Sequence, residues 1–226
     1  MKFSYASFDS RRTPHTQPSA NLYIYKSLHH DKIPEMKKDE FKKKLGEVES
    51  SVYKAVLYYT VWSAIWPKEE TLGVNNKYRD FFGPVRGSLF EIMLVHFSAA
   101  LDTAANQYSL VTLLRIALHD PQTIAPLTDS NEVSDMLSQI EKDLSTLEKL
   151  KKVKDQHITN FDARPLEDQT VRKGEVDNLA KSVQTNFSRL FFVHDGSRHT
   201  WSPHIQYSDW TTNAMINVLS NSLKSP

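Results

Sequence analysis

The residues best equipped for chemistry form one run, Lys151-Lys152-Val153-Lys154-Asp155-Gln156-His157-Ile158-Thr159-Asn160-Phe161-Asp162-Ala163-Arg164. An imidazole can take or give a proton near neutral pH, and ammonium groups carry a positive charge that must be solvated or paired. With roughly 100° per residue on a helix, Leu147, Leu150, Val153, Lys154, His157 and Ile158 share one sector. Lys154 and His157 then sit on or beside the face that must be buried, where a cation and an imidazole need partners, water or a task. A structural explanation competes with this. Lysine and histidine are favoured by the dipole at a helix C-terminus, and lysine stems cover apolar surface.

Other candidates carry less. His194-Asp195-Gly196-Ser197-Arg198-His199-Thr200-Trp201-Ser202-Pro203-His204 groups three histidines and an aspartate that could ligate zinc. Its spacing matches no metal motif, so it reads as a polar surface loop. The pairs Arg189–His194 and Arg198–His204 fit a bare Arg-x4–6-His pattern, but a chain of this composition supplies such pairs by chance. His96 falls on an apolar stripe and reads as a core or interface histidine. The run Lys37–Lys44 reads as a solvated helix face. Arg115 is expected to pair with Asp102 or Asp120. No Gly-rich phosphate loop, Gly-x-Ser-x-Gly elbow or His-Glu-x-x-His helix is present.

The elements that must position these groups are helical. Residues 1–34, rich in Ser, Thr, Pro and His without a period, form an irregular arm. From Pro34 to Trp66 the apolar residues Phe41, Leu45, Val48, Val52, Ala55, Tyr59, Trp62 and Trp66 follow a 4-3-4-3-4-3-4 spacing, a heptad-like seam. A second helix is predicted from Asn76 to Thr103, irregular at Gly83-Pro84 and apolar nearly all round. Such a helix is the buried centre of a bundle or is covered by a second subunit. Ser109 starts a short helix, Leu110 to Leu118. Asp129-x-x-Glu132 resembles a capping box that opens a long helix running toward His157. Further helices are predicted at Glu175–Val193 and Trp210–Leu223, with Gly196 and Pro203 interrupting the pattern between them. The expected fold is all-α, an antiparallel bundle of long helices with a C-terminal helical layer. A single domain over 35–226 would hold a core at about 35–162 and C-terminal helices at 165–226.

Composition agrees with a globular helical protein. The 226 residues include only six glycines, and 39% are hydrophobic. The 28 basic and 27 acidic residues leave a formal charge of +1, so no global field steers the chain to a polyanion. With no cysteine, thiolate metal sites and a cysteine nucleophile are excluded. The most apolar stretch, Leu89–Leu101, is broken by Glu91, His96 and Ser98 and falls short of a membrane span. A cytoplasmic location without membrane partners is expected.

Three segments stand out together. Tyr78-Arg79-Asp80-Phe81-Phe82-Gly83-Pro84-Val85-Arg86 leads into the very apolar helix. Leu101-Asp102 precedes Tyr108-Ser109-Leu110 and Leu113-Leu114-Arg115, and a long helix ends in Lys154 to Asp162. Together they resemble the HEPN superfamily, in particular its AbiU2-like branch from phage-defence and toxin systems. The second segment is similar to that branch's Leu-Asp pair before a Ser-Leu helix, and the third to its Arg-(Asn/Asp)-Lys-x-x-Ala-His-x-Asp signature. Asp155 and Asp162 match, Lys154 replaces arginine, Asn160 replaces histidine, and His157 lies three positions out of register.

The resemblance implies a helical homodimer that joins the motifs of both subunits in one cleft and cleaves RNA without metal or cofactor. Histidine would serve as acid or base and arginine would hold the phosphorane charge. Lysine supplies charge but not the bidentate fork, and asparagine cannot move a proton at neutral pH. The expectation is therefore an RNA-binding protein of a defence or toxin–antitoxin system, with weak or lost ribonuclease activity and a cognate toxin or antitoxin as partner. In it His157 is the acid or base, Lys154 contacts phosphate, and Asp155 and Asn160 orient. The competing expectation is a non-enzymatic module whose Phe41–Trp66 seam docks a partner helix.

Overall fold

The computed structural model describes residues 36–104, 107–159 and 172–224. The chain divides into a unit at Met1–Lys32, which lies outside the described residues as does the arm expected there, and a unit at Ile33–Pro226 that carries every described element. Among the described residues there is no strand. The helices are α1 (Lys38–Ala64), a 3-10 turn (Glu69–Thr71), α2 (Leu72–Lys77), α3 (Arg79–Ala100), α4 (Leu110–His119), α5 (Pro121–Ile124), α6 (Ser130–Thr159), α7 (Lys173–Asp195) and α8 (Pro203–Ser222). The fold is the expected all-α bundle.

Helix α1 is its axis. Its seam residues Phe41, Leu45, Val48, Val52, Ala55 and Trp62 are all buried. They are covered by the chain's own α3, α4, α7 and α8. The seam is thus satisfied internally and is not open to a partner helix, which corrects that expectation. Each buried Leu, Val or Phe side chain contributes roughly 1.5–3 kcal/mol of transfer free energy. The gain is ample because a 3.5-residue period keeps one face aligned over the whole helix.

Cross-helix pairs fix the directions. Tyr58 stacks on His96 and Trp62 meets Phe90, so α1 and α3 are antiparallel. Lys42 Nζ lies 2.7 Å from Asp195 Oδ2 and the Tyr59 hydroxyl donates to Asp177 at 3.0 Å, so α1 and α7 are antiparallel too. Arg189 bonds Glu132 while Lys149 bonds Glu175, which sets α6 against α7 in the same sense. Helix α8 forms the outer layer over α1 and α2.

The differences from the predicted elements have local causes. The second helix is interrupted at Tyr78 (φ −109°, ψ 33°). That residue's N–H closes α2 on Val74 O, and its carbonyl accepts from Phe81 and Phe82 to open α3. Pro84 lies within α3 without ending it. Pro203, read in the sequence as an interruption, instead occupies the first turn of α8, where its missing N–H is not needed. The Ser202 hydroxyl caps that turn by accepting from His204 N at 3.3 Å. The last helix therefore begins seven residues before Trp210, at Pro203. Gly196 ends α7 at φ 78°, a left-handed conformation that costs glycine least. Arg115 pairs with Glu141 of α6 at 3.6 Å rather than with Asp102 or Asp120.

Candidate functional site

The last turns of α6 carry the residues singled out for chemistry. Leu147, Leu150 and Val153 are buried along the predicted sector. Lys154 borders it, with a side chain 29% exposed and its Nζ 3.2 Å from the Asp155 carboxylate, which is 66% exposed. His157 falls in the last turn of α6, and its side chain is outside the described residues. Asn160 and Asp162 lie outside them altogether. Lys154 and Asp155 are thus brought together by adjacency on one helix. Around them Lys149 bonds Glu175 and Lys151 bonds Glu148. Lys152 is exposed and has no ion-pair partner among the described residues. The end of α6 therefore presents cationic groups, one of them beside the core.

The preceding segment is tied in by a cap. Ser109, fully buried, accepts from Thr112 N at 3.2 Å, and its hydroxyl donates to the carbonyl of Asp102. That one side chain joins the end of α3 to the start of α4, and α4 packs on α6.

The His194–His204 segment departs from the polar surface loop expected of it. His194 is 1% exposed, its Nδ1 donates to the Ile124 carbonyl at 2.7 Å, and its ring lies 4.8 Å from that of Phe41. His199 has a side chain only 5% exposed, with Nε2 3.0 Å from Glu49 Oε1. It is enclosed by the rings of Phe187, Phe191 and Trp201. Asp195 bonds Lys42 and the Ser197 hydroxyl, which hold its carboxyl well below the usual carboxylate range. His194, Asp195 and His199 thus each tie this segment to another part of the fold, while Arg198 and His204 are exposed. Among the described residues no three His, Asp or Glu side chains converge as a metal site would require.

His96, half-buried, stacks flat on Tyr58 at 5.7 Å, and burial, assisted by Lys54, lowers its pKa. Asp143 is buried between α6 and α7, and burial raises its pKa against hydrogen bonds from Ser182 and Gln139.

Two kinds of surface feature, bare apolar helix faces and a groove, were not singled out in the sequence. The outward side of α3 exposes Phe81, Ile92 and Val95, with Ser88 and Ala99 between and beyond them. With Val85 these positions repeat at 4-3-4-3-4. The apolar all-round composition of α3 thus reflects a covered side and a bare one, not burial at the bundle centre. Helix α8 exposes Tyr207 and, on the stretch without formal charge between Asp209 and Lys224, Trp210, Met215 and Val218. The second feature is a groove of about 430 Å³ beside α7, lined by Gln184, Thr185, Ser188, Arg189, Phe192 and Trp201. A polar face at Lys181, Gln184, Thr185 and Ser188, opposite the Val176–Leu190 stripe, was the available signal.

No family model, curated protein or solved structure matches the chain. No helix among the described residues is long and apolar enough to cross a membrane.

Proposed function

We propose that this is a HEPN-like helical protein of a phage-defence or toxin–antitoxin type system that binds RNA, with metal-independent ribonuclease chemistry weak or lost. The observation that carries the reading is the placement of Lys154 at the border of the buried face of α6, beside Asp155. Support also comes from the Ser109 bond that joins Asp102 to the start of α4, because both residues belong to the segment on which the resemblance rests. Binding without efficient cleavage follows from residue type. Lys154 attracts a phosphate as a point charge, whereas Asn160, at the position of the motif's histidine, cannot carry a proton.

The test uses purified full chain, labelled structured RNA and chelator. Wild type should retain RNA and cleave it slowly or not at all, and His157→Ala should remove any residual cleavage. Asn160→His combined with Lys154→Arg should raise cleavage by tenfold or more, since acid–base groups contribute about 10²–10⁴-fold. Wild-type protein that neither binds nor cleaves RNA would contradict the reading.

A second reading, a protein–protein association module, is favoured by the bare stripe on α3. Heptad-like spacing on an exposed helix face suits another helix. The expected homodimer, or a cognate toxin or antitoxin, would cover it. Ile92→Asp with Val95→Asp should then convert a dimer or complex to monomer in light scattering, and a wild-type chain that is monomeric and captures no partner would remove this reading.

A further inference from the structure

The groove beside α7 has a composition that the fold does not require. Phe192 and Trp201 provide two aromatic surfaces, while Gln184, Thr185 and Ser188 provide an amide and two hydroxyls. Trp201 is already fixed. Its indole N–H donates to Ser188 Oγ at 3.0 Å, and its ring stands edge-on to His199 with centroids 4.5 Å apart. Arg189 is fixed as well, with its guanidinium 5.0 Å over the Phe192 ring and its Nε bonded to Glu132. The Gln184 amide and Thr185 hydroxyl, in contrast, have no hydrogen-bond partner among the described residues. At roughly 100° per residue Lys181, Gln184, Thr185, Ser188 and Phe192 fall within about 100° of one another, so the Lys181 ammonium lies one turn from the groove on the same face. Lys181 is exposed and unpaired among the described residues.

These features select a class of ligand. Rigid aromatic walls favour a flat ring, and the free amide and hydroxyl favour one with polar edges. Arg189 already has its carboxylate in Glu132, so the lining is not built for a bare anion. An unpaired cation at one end suits a phosphate attached to the ring. The volume lies at the low end of small-ligand sites, roughly 300–1,000 Å³. We propose that this groove binds a nucleobase against Trp201 and Phe192, with Lys181 on the adjoining phosphate. The site deepens the RNA reading above and rests on it, but it is separate from the Lys154 end of α6 and involves no catalysis. Base stacking on aromatic side chains tolerates sequence, so the natural source is a single strand or a free nucleotide rather than a duplex.

The experiment follows the Trp201 indole N–H resonance, identified by its loss in Trp201→Phe, while adenosine monophosphate, a single-stranded oligonucleotide or a duplex is added. Anisotropy titrations of the labelled single strand run in parallel. Thr185→Trp fills the groove from an exposed position without disturbing the core. It should weaken single-strand binding about tenfold with an unchanged melting temperature, as expected for one lost stacked base. Lys181→Ala should weaken binding less and lower its salt dependence. A resonance shift with the mononucleotide identifies a free-nucleotide site, and a shift with the oligonucleotide alone identifies a strand site. Either supports the proposal. If the single strand binds but neither Thr185→Trp nor Trp201→Phe alters it, the groove is overturned while the RNA reading stands. If wild type binds no RNA and the indole does not shift, both fall.

Discussion

Two long helices end in clusters of basic and acidic groups, and the structure treats them differently. At the end of α7, His194 bonds the Ile124 carbonyl, Asp195 bonds Lys42, and His199 bonds Glu49. Three other elements, α1, α5 and the segment leading to α8, are knitted to that corner. At the end of α6, among the described residues, Lys154 forms an ion pair with its sequence neighbour Asp155, and Lys152 is exposed without an ion-pair partner. Polar residues that the fold consumes are not available to a ligand, whereas those it leaves at the edge of a core are. The histidine-rich corner is the one whose side chains are bonded into the fold.

The comparison breaks most readily at His194. His194→Ala should destabilise the protein by about 2–4 kcal/mol in urea denaturation, since it strands the Ile124 carbonyl and opens a void beside Phe41. Near wild-type stability would mean that this corner is not structural. Gly196→Ala comes next, at about 1–2 kcal/mol. It forces a side chain into the left-handed region, with its Cβ 3.2 Å from Leu127 Cδ1.

Asp143, between the two helices, tests the interior that separates the ends. Burial raises its pKa, so its favourable share of stability is complete below the unfolded value, about pH 4, and declines as pH rises through the raised one. Asp143→Asn should therefore stabilise the protein at pH 7, by up to about 1 kcal/mol, and give nothing near pH 3. Melting scans at the two pH values check the sign. The smallest effect belongs to Lys154→Ala, which should change stability by less than about 0.5 kcal/mol, as befits a surface ion pair. A large loss there would erase the contrast.

Much of the fold was legible because it is written in local periodicity. The Phe41–Trp62 seam, the Ser109 cap and the Asp129 cap, whose Oδ1 accepts from Glu132 N at 2.9 Å, appear where the spacing placed them. The break at Tyr78 was not legible, because residues 68–77 carry no period to interrupt. Pro203 was misjudged for a physical reason: proline disfavours a helix interior but suits the first turn, where no N–H is needed. The candidate site was legible in part. The turn-by-turn direction of α6 correctly put Lys154 beside the buried sector. Burial of His199 could not be read from the sequence, since its partners Glu49 and Phe187 are distant in the chain and meet it only through packing. The bare side of α3 had the same origin: composition revealed an apolar helix, and only the packing shows which half is covered.

The proposal that the end of α6, not the end of α7, engages a polyanion has a direct test. Anisotropy of a labelled RNA titrated with wild type and with Lys154→Glu, at two salt concentrations, tests it most directly. The account expects wild type to bind with affinity falling as salt rises, and the variant to bind several-fold more weakly with a salt slope reduced by about one, at an unchanged melting temperature. Superimposable isotherms for the two proteins, or no binding by wild type, would contradict it.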